Sequence, residues 1–126
     1  MEINTQGKEL TRAELEIMQV IWDDNDEGQF LADIINKIPE PRPAYTTVST
    51  IIRILVRKGF VTFKSYGKIH CYRATISKEE YASEVMGRVK MHFFGNSISN
   101  MISFFARREK LSESEKEELR AILDQE

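Results

Sequence analysis

Cysteine occurs once in this chain, at Cys71, which excludes an internal disulfide and suits a small, partly buried side chain. Histidine occurs only at His70 and His92. His70 and Cys71 are neighbours on an expected strand and point to opposite faces, so they cannot share a metal ion. His92 stands at an expected helix end beside Phe93 and reads as a dipole-complementing or surface residue. There is no phosphate-binding loop and no His/Glu pair at metal spacing. Without a nucleophile–base set or a ligand cluster, no catalytic residue, metal site or cofactor is expected, and an enzyme is not expected either. Long apolar runs are also missing, so no segment should enter a membrane. The N-terminus, MEINTQGKEL, lacks a signal-peptide core, which predicts a cytoplasmic protein.

Acid is nearly absent from one third of the chain. Residues 39–78 hold eight Lys and Arg (Arg42, Arg53, Arg57, Lys58, Lys64, Lys68, Arg73 and Lys78) against Glu40 alone, although the whole chain carries a net charge of -2. Charge segregated in this way suits the phosphate backbone of DNA, where bound Lys and Arg release condensed counterions.

The elements around this window follow from spacing and caps. Thr11-Arg12-Ala13-Glu14 is a capping box opening a helix whose stripe is Leu15, Met18, Ile21 and Trp22, widened by Ile17 and Val20. A polar loop at 24–28 precedes a second helix expected over 29–38, which Pro39, Pro41 and Pro43 stop. A third helix is expected from Tyr45 to Lys58, with Val48, Ile51, Ile52 and Leu55 buried and Gly59 as its left-handed cap. Strands follow at 60–64 and 69–73 around a turn at 65–68, where Gly67 can take positive φ. Three helices and a hairpin in this order specify a winged helix-turn-helix at 1–76, a DNA-binding domain whose third helix enters the major groove. Thr46, Thr47, Ser49, Thr50 and Arg53 are the candidates for base edges, beside Tyr45 as a further DNA-binding position, with Arg57 and Lys58 at the helix end and Lys64 and Lys68 on the wing for phosphate.

Residues 77–126 differ in character. Ser77–Glu80 and Ser112–Glu115 are further capping boxes, and Gly95 separates two of three short helices. Their apolar positions are Tyr81, Val85, Val89 and Phe93, then Ile98, Met101, Ile102 and Phe105, then Leu119, Ile122 and Leu123. So small a unit makes a poor core by itself, and its phenylalanines exceed what one copy covers. Residues 77–126 are therefore expected to be a helical dimerisation domain, and the fold class to be mainly α with a small β-hairpin.

The run from Leu10 to Met18 and on to Ile21-Trp22, the run from Thr47 to Leu55, Lys58-Gly59-Phe60-Val61, and Leu111-Ser112 with Glu117 to Leu123 together resemble the penicillinase-repressor family of transcription factors, the BlaI/MecI type. The resemblance covers nearly the whole chain. It implies a cytoplasmic homodimer that represses resistance genes from a two-fold double-stranded operator. It also implies a membrane-bound sensor protease as partner, activated by β-lactam and leading to a cut in the dimerisation region. Aligned back from Leu111-Ser112, the family's Asn–Phe bond falls at Phe104-Phe105, so the Asn is missing. Ser49 replaces a basic residue common on the recognition helix, and the Cys-rich tail of the copper-responsive relatives is absent. Two other readings stay open, a winged helix that binds protein and a regulator that senses a small molecule, although the sequence marks no ligand pocket. Salt dependence of binding to random duplex separates the first of these from a DNA-binding protein.

Overall fold

A computed structural model of the chain describes residues 8–125; most of the N-terminal segment read above for a signal peptide lies outside them. The elements are α1 (Arg12–Asp23), β1 (Gln29–Phe30), α2 (Leu31–Lys37), α3 (Tyr45–Lys58), β2 (Val61–Tyr66), β3 (Ile69–Ala74), α4 (Lys78–Phe93), α5 (Ile98–Arg108) and α6 (Glu113–Leu123). This is a winged helix-turn-helix followed by a helical segment, mainly α with a small antiparallel sheet of order β1-β3-β2.

Helix α1 begins at its capping box, with the Thr11 amide 2.9 Å from Glu14 Oε1 and the Glu14 amide 3.2 Å from Thr11 Oγ1. Its buried stripe is Ile17, Met18, Val20 and Ile21, while Leu15 and Trp22 are only partly covered. The stripe is therefore centred closer to Ile17 and Val20 than the spacing suggested. Helix α3 is rich in β-branched residues and weak in intrinsic propensity, so burial of Val48, Ile52 and Leu55 holds it. Gly59 at φ 89° ends it, its amide donating to Val56 O at 3.1 Å and that of Phe60 to Leu55 O at 3.0 Å.

The second helix departs from expectation. It starts at Leu31, because Gln29 and Phe30 form a strand paired with Tyr72 and Cys71 of β3. Gln29 is buried, and its side-chain amide donates to Val20 O at 2.7 Å and Asp24 O at 3.2 Å, satisfying carbonyls at the end of α1. Gly28 leads into the strand at φ 85°, where an added Cβ would stand 2.7 Å from Cys71 Sγ. The wing also differs in detail: pairing runs through Tyr66 and Ile69, so the turn is only Gly67-Lys68.

One compact unit reaches Val85 and a second begins at Met86, later than the expected division at 76/77. The first two turns of α4 explain the difference. Tyr81 is buried in the winged-helix core, its ring 5.6 Å from Phe60 and its hydroxyl accepting from the Leu10 amide at 2.8 Å, and Val85 packs against the same core. Tyr81 therefore leaves the set of side chains expected to meet a second copy. In the second unit Gly95 and Asn96, at φ 57° and 61°, break the chain between α4 and α5. Ser97 caps α5, and the Ser112–Glu115 box caps α6.

Candidate nucleic-acid interface

Helix α3 presents Tyr45, Thr46, Thr47, Thr50, Arg53 and Arg57 to solvent in one polar row, with Ser49 half-buried. Short hydroxyl side chains let a helix approach base edges closely, and the two arginines stand one and two turns further on. The N-cap of α3 is Ala44, which offers no side-chain acceptor, and its first turn has no acid. Its leading amides thus keep donor capacity for a phosphate. Arg53 Nη2 lies 3.4 Å from Thr50 Oγ1, which lays the guanidinium along the polar row.

The structure divides seven of the eight basic side chains of the window into two groups; the eighth, Lys78, is exposed at the start of α4. Arg42, Lys58 and Arg73 have internal tasks. Arg42 donates to Ile38 O at 2.9 Å and Asn36 O at 3.0 Å, closing the end of α2. Arg73 donates to Asn25 O at 3.2 Å and also to Asp26 O, tying the hairpin to the loop after α1. Lys58, expected on DNA, places its ammonium 2.7 Å from buried Glu14 Oε1. Burial pushes the Glu14 carboxyl up. Hydrogen bonds from Lys58 and from the Thr11 backbone, with the charge of Lys58, outweigh burial and hold the carboxyl below its ordinary value. Arg53, Arg57, Lys64 and Lys68 form the second group, exposed and without an acidic partner among the described residues. Lys64 Nζ sits 5.4 Å above the Tyr66 ring.

The wing carries an aromatic face that the sequence reading passed over. Phe63 and His70 stack with centroids 4.2 Å apart at 12°, and Tyr72 lies 6.0 Å from each. Alternation on β3 with cross-strand Phe63 was the available signal. Burial pushes the Tyr72 phenol up, Tyr45 adding to the rise and the Arg53 charge opposing it, so α3 and the wing meet here. Between them lies a groove of about 400 Å³ lined by Phe30, Leu31, Ala32, Tyr45, Ser49, Lys68, Ile69, His70 and Tyr72. Ser49 faces this groove, which separates it from the exposed hydroxyl row. Cys71 is buried on the opposite face from His70 and donates to Glu27 O at 3.4 Å.

Of the positions expected for association, Tyr81 and Val85 belong to the core of the first unit and the rest lie in the second. Phe93, Ile98, Ile102, Phe105, Leu119, Ile122 and Leu123 are exposed there, while Val89 is half-buried and Met101 buried. Phe104 lies in the middle of α5, 5.3 Å from Phe94, with the Arg108 guanidinium 5.3 Å from its ring.

A winged helix with an open, basic recognition-helix face belongs to the class of DNA-docking transcription regulators. The family profile described as penicillinase repressor matches residues 10–125. A methicillin resistance regulatory protein, MecI, of Mammaliicoccus sciuri is 28% identical over 117 residues, covering 92% of this chain and 94% of that relative. The penicillinase repressor of Bacillus licheniformis is 24% identical over 118 residues, covering 93% and 91%. MecI of Staphylococcus aureus strain N315 is 27% identical over 117 residues, covering 92% and 94%. The chain belongs to the penicillinase-repressor family, and with it to the transcriptional repressors. No helix among the described residues is long and apolar enough to cross a membrane.

Proposed function

We propose that the chain is a sequence-specific repressor that binds a two-fold operator as a homodimer, docking α3 in the major groove and the hairpin beside it. The observation that carries this reading is the polar row of α3, which ends in Arg53 and Arg57, exposed and without an acidic partner among the described residues, and starts at an uncapped helix terminus. Thr46, Thr47, Thr50 and Arg53 read base edges; Arg57, Lys64 and Lys68 hold phosphate. Binding to random and selected duplex at graded salt tests it. Arg53→Ala should cost about 1–3 kcal/mol on the selected site and relax one base position. Equal loss on random DNA would reassign Arg53 to phosphate, and no salt dependence at all would reject DNA binding.

Residues 86–126 supply the dimer interface in this reading, because their apolar side chains face solvent in a single copy. Two subunits on one operator place half-sites a DNA turn or more apart, roughly 34–36 Å per turn. Release is proteolytic, in response to β-lactam or cell-wall stress, through a membrane-bound sensor protease acting within residues 96–106. Cutting there separates α6 from α4 and weakens the dimer by mass action. Phe104 and Phe105 lie inside α5, so the helix must open locally before a protease reaches that bond. A chain that stays full-length by mass while its target genes switch on under β-lactam would exclude cleavage.

A further inference from the structure

Of the side chains lining the groove between α3 and the hairpin, only Lys68 has a task in the contacts assigned so far. The groove's volume, about 400 Å³, lies in the range of ligand-holding clefts, roughly 300–1,000 Å³. Tyr45 from the first turn of α3 and Tyr72 and Ile69 from β3 give it carbon-rich walls; the Ser49 hydroxyl and the Lys68 ammonium supply polar contacts. No carboxylate lines it. Flat apolar walls beside a cation suit a ring that carries an anion. Duplex DNA repeats that unit along each strand, as a furanose joined to phosphate. A helix lying in the major groove and a hairpin set beside it on the same duplex leave one strand between them. In the docking proposed above, that strand passes over this groove.

We propose that the groove seats one sugar–phosphate unit of the operator strand, with the furanose against Tyr45 and Tyr72 and the phosphate on Lys68 and Ser49. This rests on the DNA-binding reading above. It adds a sugar contact to the phosphate contact of Lys68 at a fixed place in the register, made by side chains other than Thr46, Thr47, Thr50 and Arg53. It also moves Ser49 from base recognition to strand positioning. A free mononucleotide carries the same chemical unit, so both sources have to be tested.

The experiment uses the full-length chain and an operator selected from random DNA, prepared as a series with one neutral methylphosphonate at each backbone position in turn. At one position per half-site, neutralisation should weaken the wild type about tenfold yet weaken Lys68→Ala less than twofold, since the charged partner is already gone. Arg57→Ala should keep the full tenfold loss at that position. Tyr45→Ala should bind less tightly and show a smaller loss there. Lys68 and Tyr45 are both exposed, so these variants should fold, with circular dichroism as the check. Titrating the DNA-free protein with deoxythymidine monophosphate, followed by the ring resonances of Tyr45 and Tyr72, tests the second source. Shifts alongside the coupling show that the groove takes the unit from either source; coupling without shifts restricts it to the strand. Equal losses in wild type and Lys68→Ala at every position overturn the proposal while leaving operator binding intact. Mononucleotide binding without coupling overturns the strand assignment. Failure to bind any duplex with salt-dependent affinity defeats the repressor reading instead.

Discussion

In the unit that ends at Val85, Met18, Ile21, Ile34, Val48, Leu55 and Phe60 are 0% exposed, whereas beyond Met86 Phe93, Ile122 and Leu123 are 77%, 61% and 63% exposed. Among the described residues of the second unit, Met101 is the only one buried. The first unit has enough elements to close a core, since three helices, a hairpin and the start of α4 cover one another. The second has the remainder of α4, α5 and α6, too little chain to hide its own apolar side chains. Capping boxes occur in both units, so local helix signals do not distinguish a self-sufficient fold from one that needs a partner. The amount of apolar surface left outside does.

The largest effect should come from turning that outside surface against itself. Phe105→Glu puts a charge on an exposed apolar face without opening the core of the first unit. It should give a monomer with native helical content whose operator affinity is about 10²–10⁴ lower, because the second half-site is no longer held at high effective concentration. Sedimentation together with operator titration checks this. A wild-type chain that is already monomeric at micromolar concentration would break the contrast between the units.

A pair of truncations sharpens it. Phe60→Ala removes a fully buried ring and should destabilise the first unit by about 3–5 kcal/mol. Phe93→Ala removes a ring of the same size from an exposed site and should change monomer stability by no more than about 0.5 kcal/mol while raising the dimer dissociation constant. Denaturant unfolding below the dimer dissociation constant separates the two. Similar losses in both would mean that Phe93 is covered within its own chain.

The sequence exposed much of this organisation because its strongest signals are local. The Thr11 and Ser112 caps, Gly59 and the Pro39–Pro43 cluster all mark real element ends. It missed what distance along the chain conceals. Gln29 reads as helix until it is seen bonding the carbonyls of Val20 and Asp24, and Tyr81 reads as an outward position until Phe60 meets it. Nor does the basic window reveal which of its cations are engaged internally, since partners 44 residues apart, such as Glu14 and Lys58, leave no trace in spacing. The groove was invisible because its walls come from β1, α2, α3 and β3 together.

Glu14 and Lys58 allow a pH test of that last distinction. The Glu14 carboxyl is held below its ordinary value of 4.5 in the folded state, so the pair stabilises the fold above that pH and loses its contribution as pH falls through the lower folded value. Lys58→Met leaves a buried carboxylate with only the Thr11 donors. It should cost about 2–3 kcal/mol at pH 7, less than the ~3–5 of a fully buried pair because Lys58 is partly exposed. The deficit should shrink as pH falls, starting where Glu14 protonates in the variant, which lies above the wild-type titration because burial is no longer opposed by Lys58. A deficit that is flat with pH would show that packing of the lysine stem, not the ion pair, is what the substitution removes.

The smallest effect separates Lys58 from Lys68. Both lie in the basic window, but one ammonium is engaged by Glu14 and the other is exposed at the wing turn with no acidic partner among the described residues. A phosphate contact releases counterion, so losing it lowers the log–log salt slope by roughly 0.9, whereas a lysine committed to an internal carboxylate changes stability and leaves that slope alone. Lys68→Ala should therefore keep wild-type stability within about 0.5 kcal/mol and lower the slope by about one contact. Lys58→Met, measured where it is fully folded, should retain the wild-type slope. If the Lys58 variant also loses a contact, the ammonium exchanges Glu14 for phosphate on binding. Docking would then carry the cost of stripping a buried carboxylate, and operator affinity would fall with rising pH around the Glu14 titration.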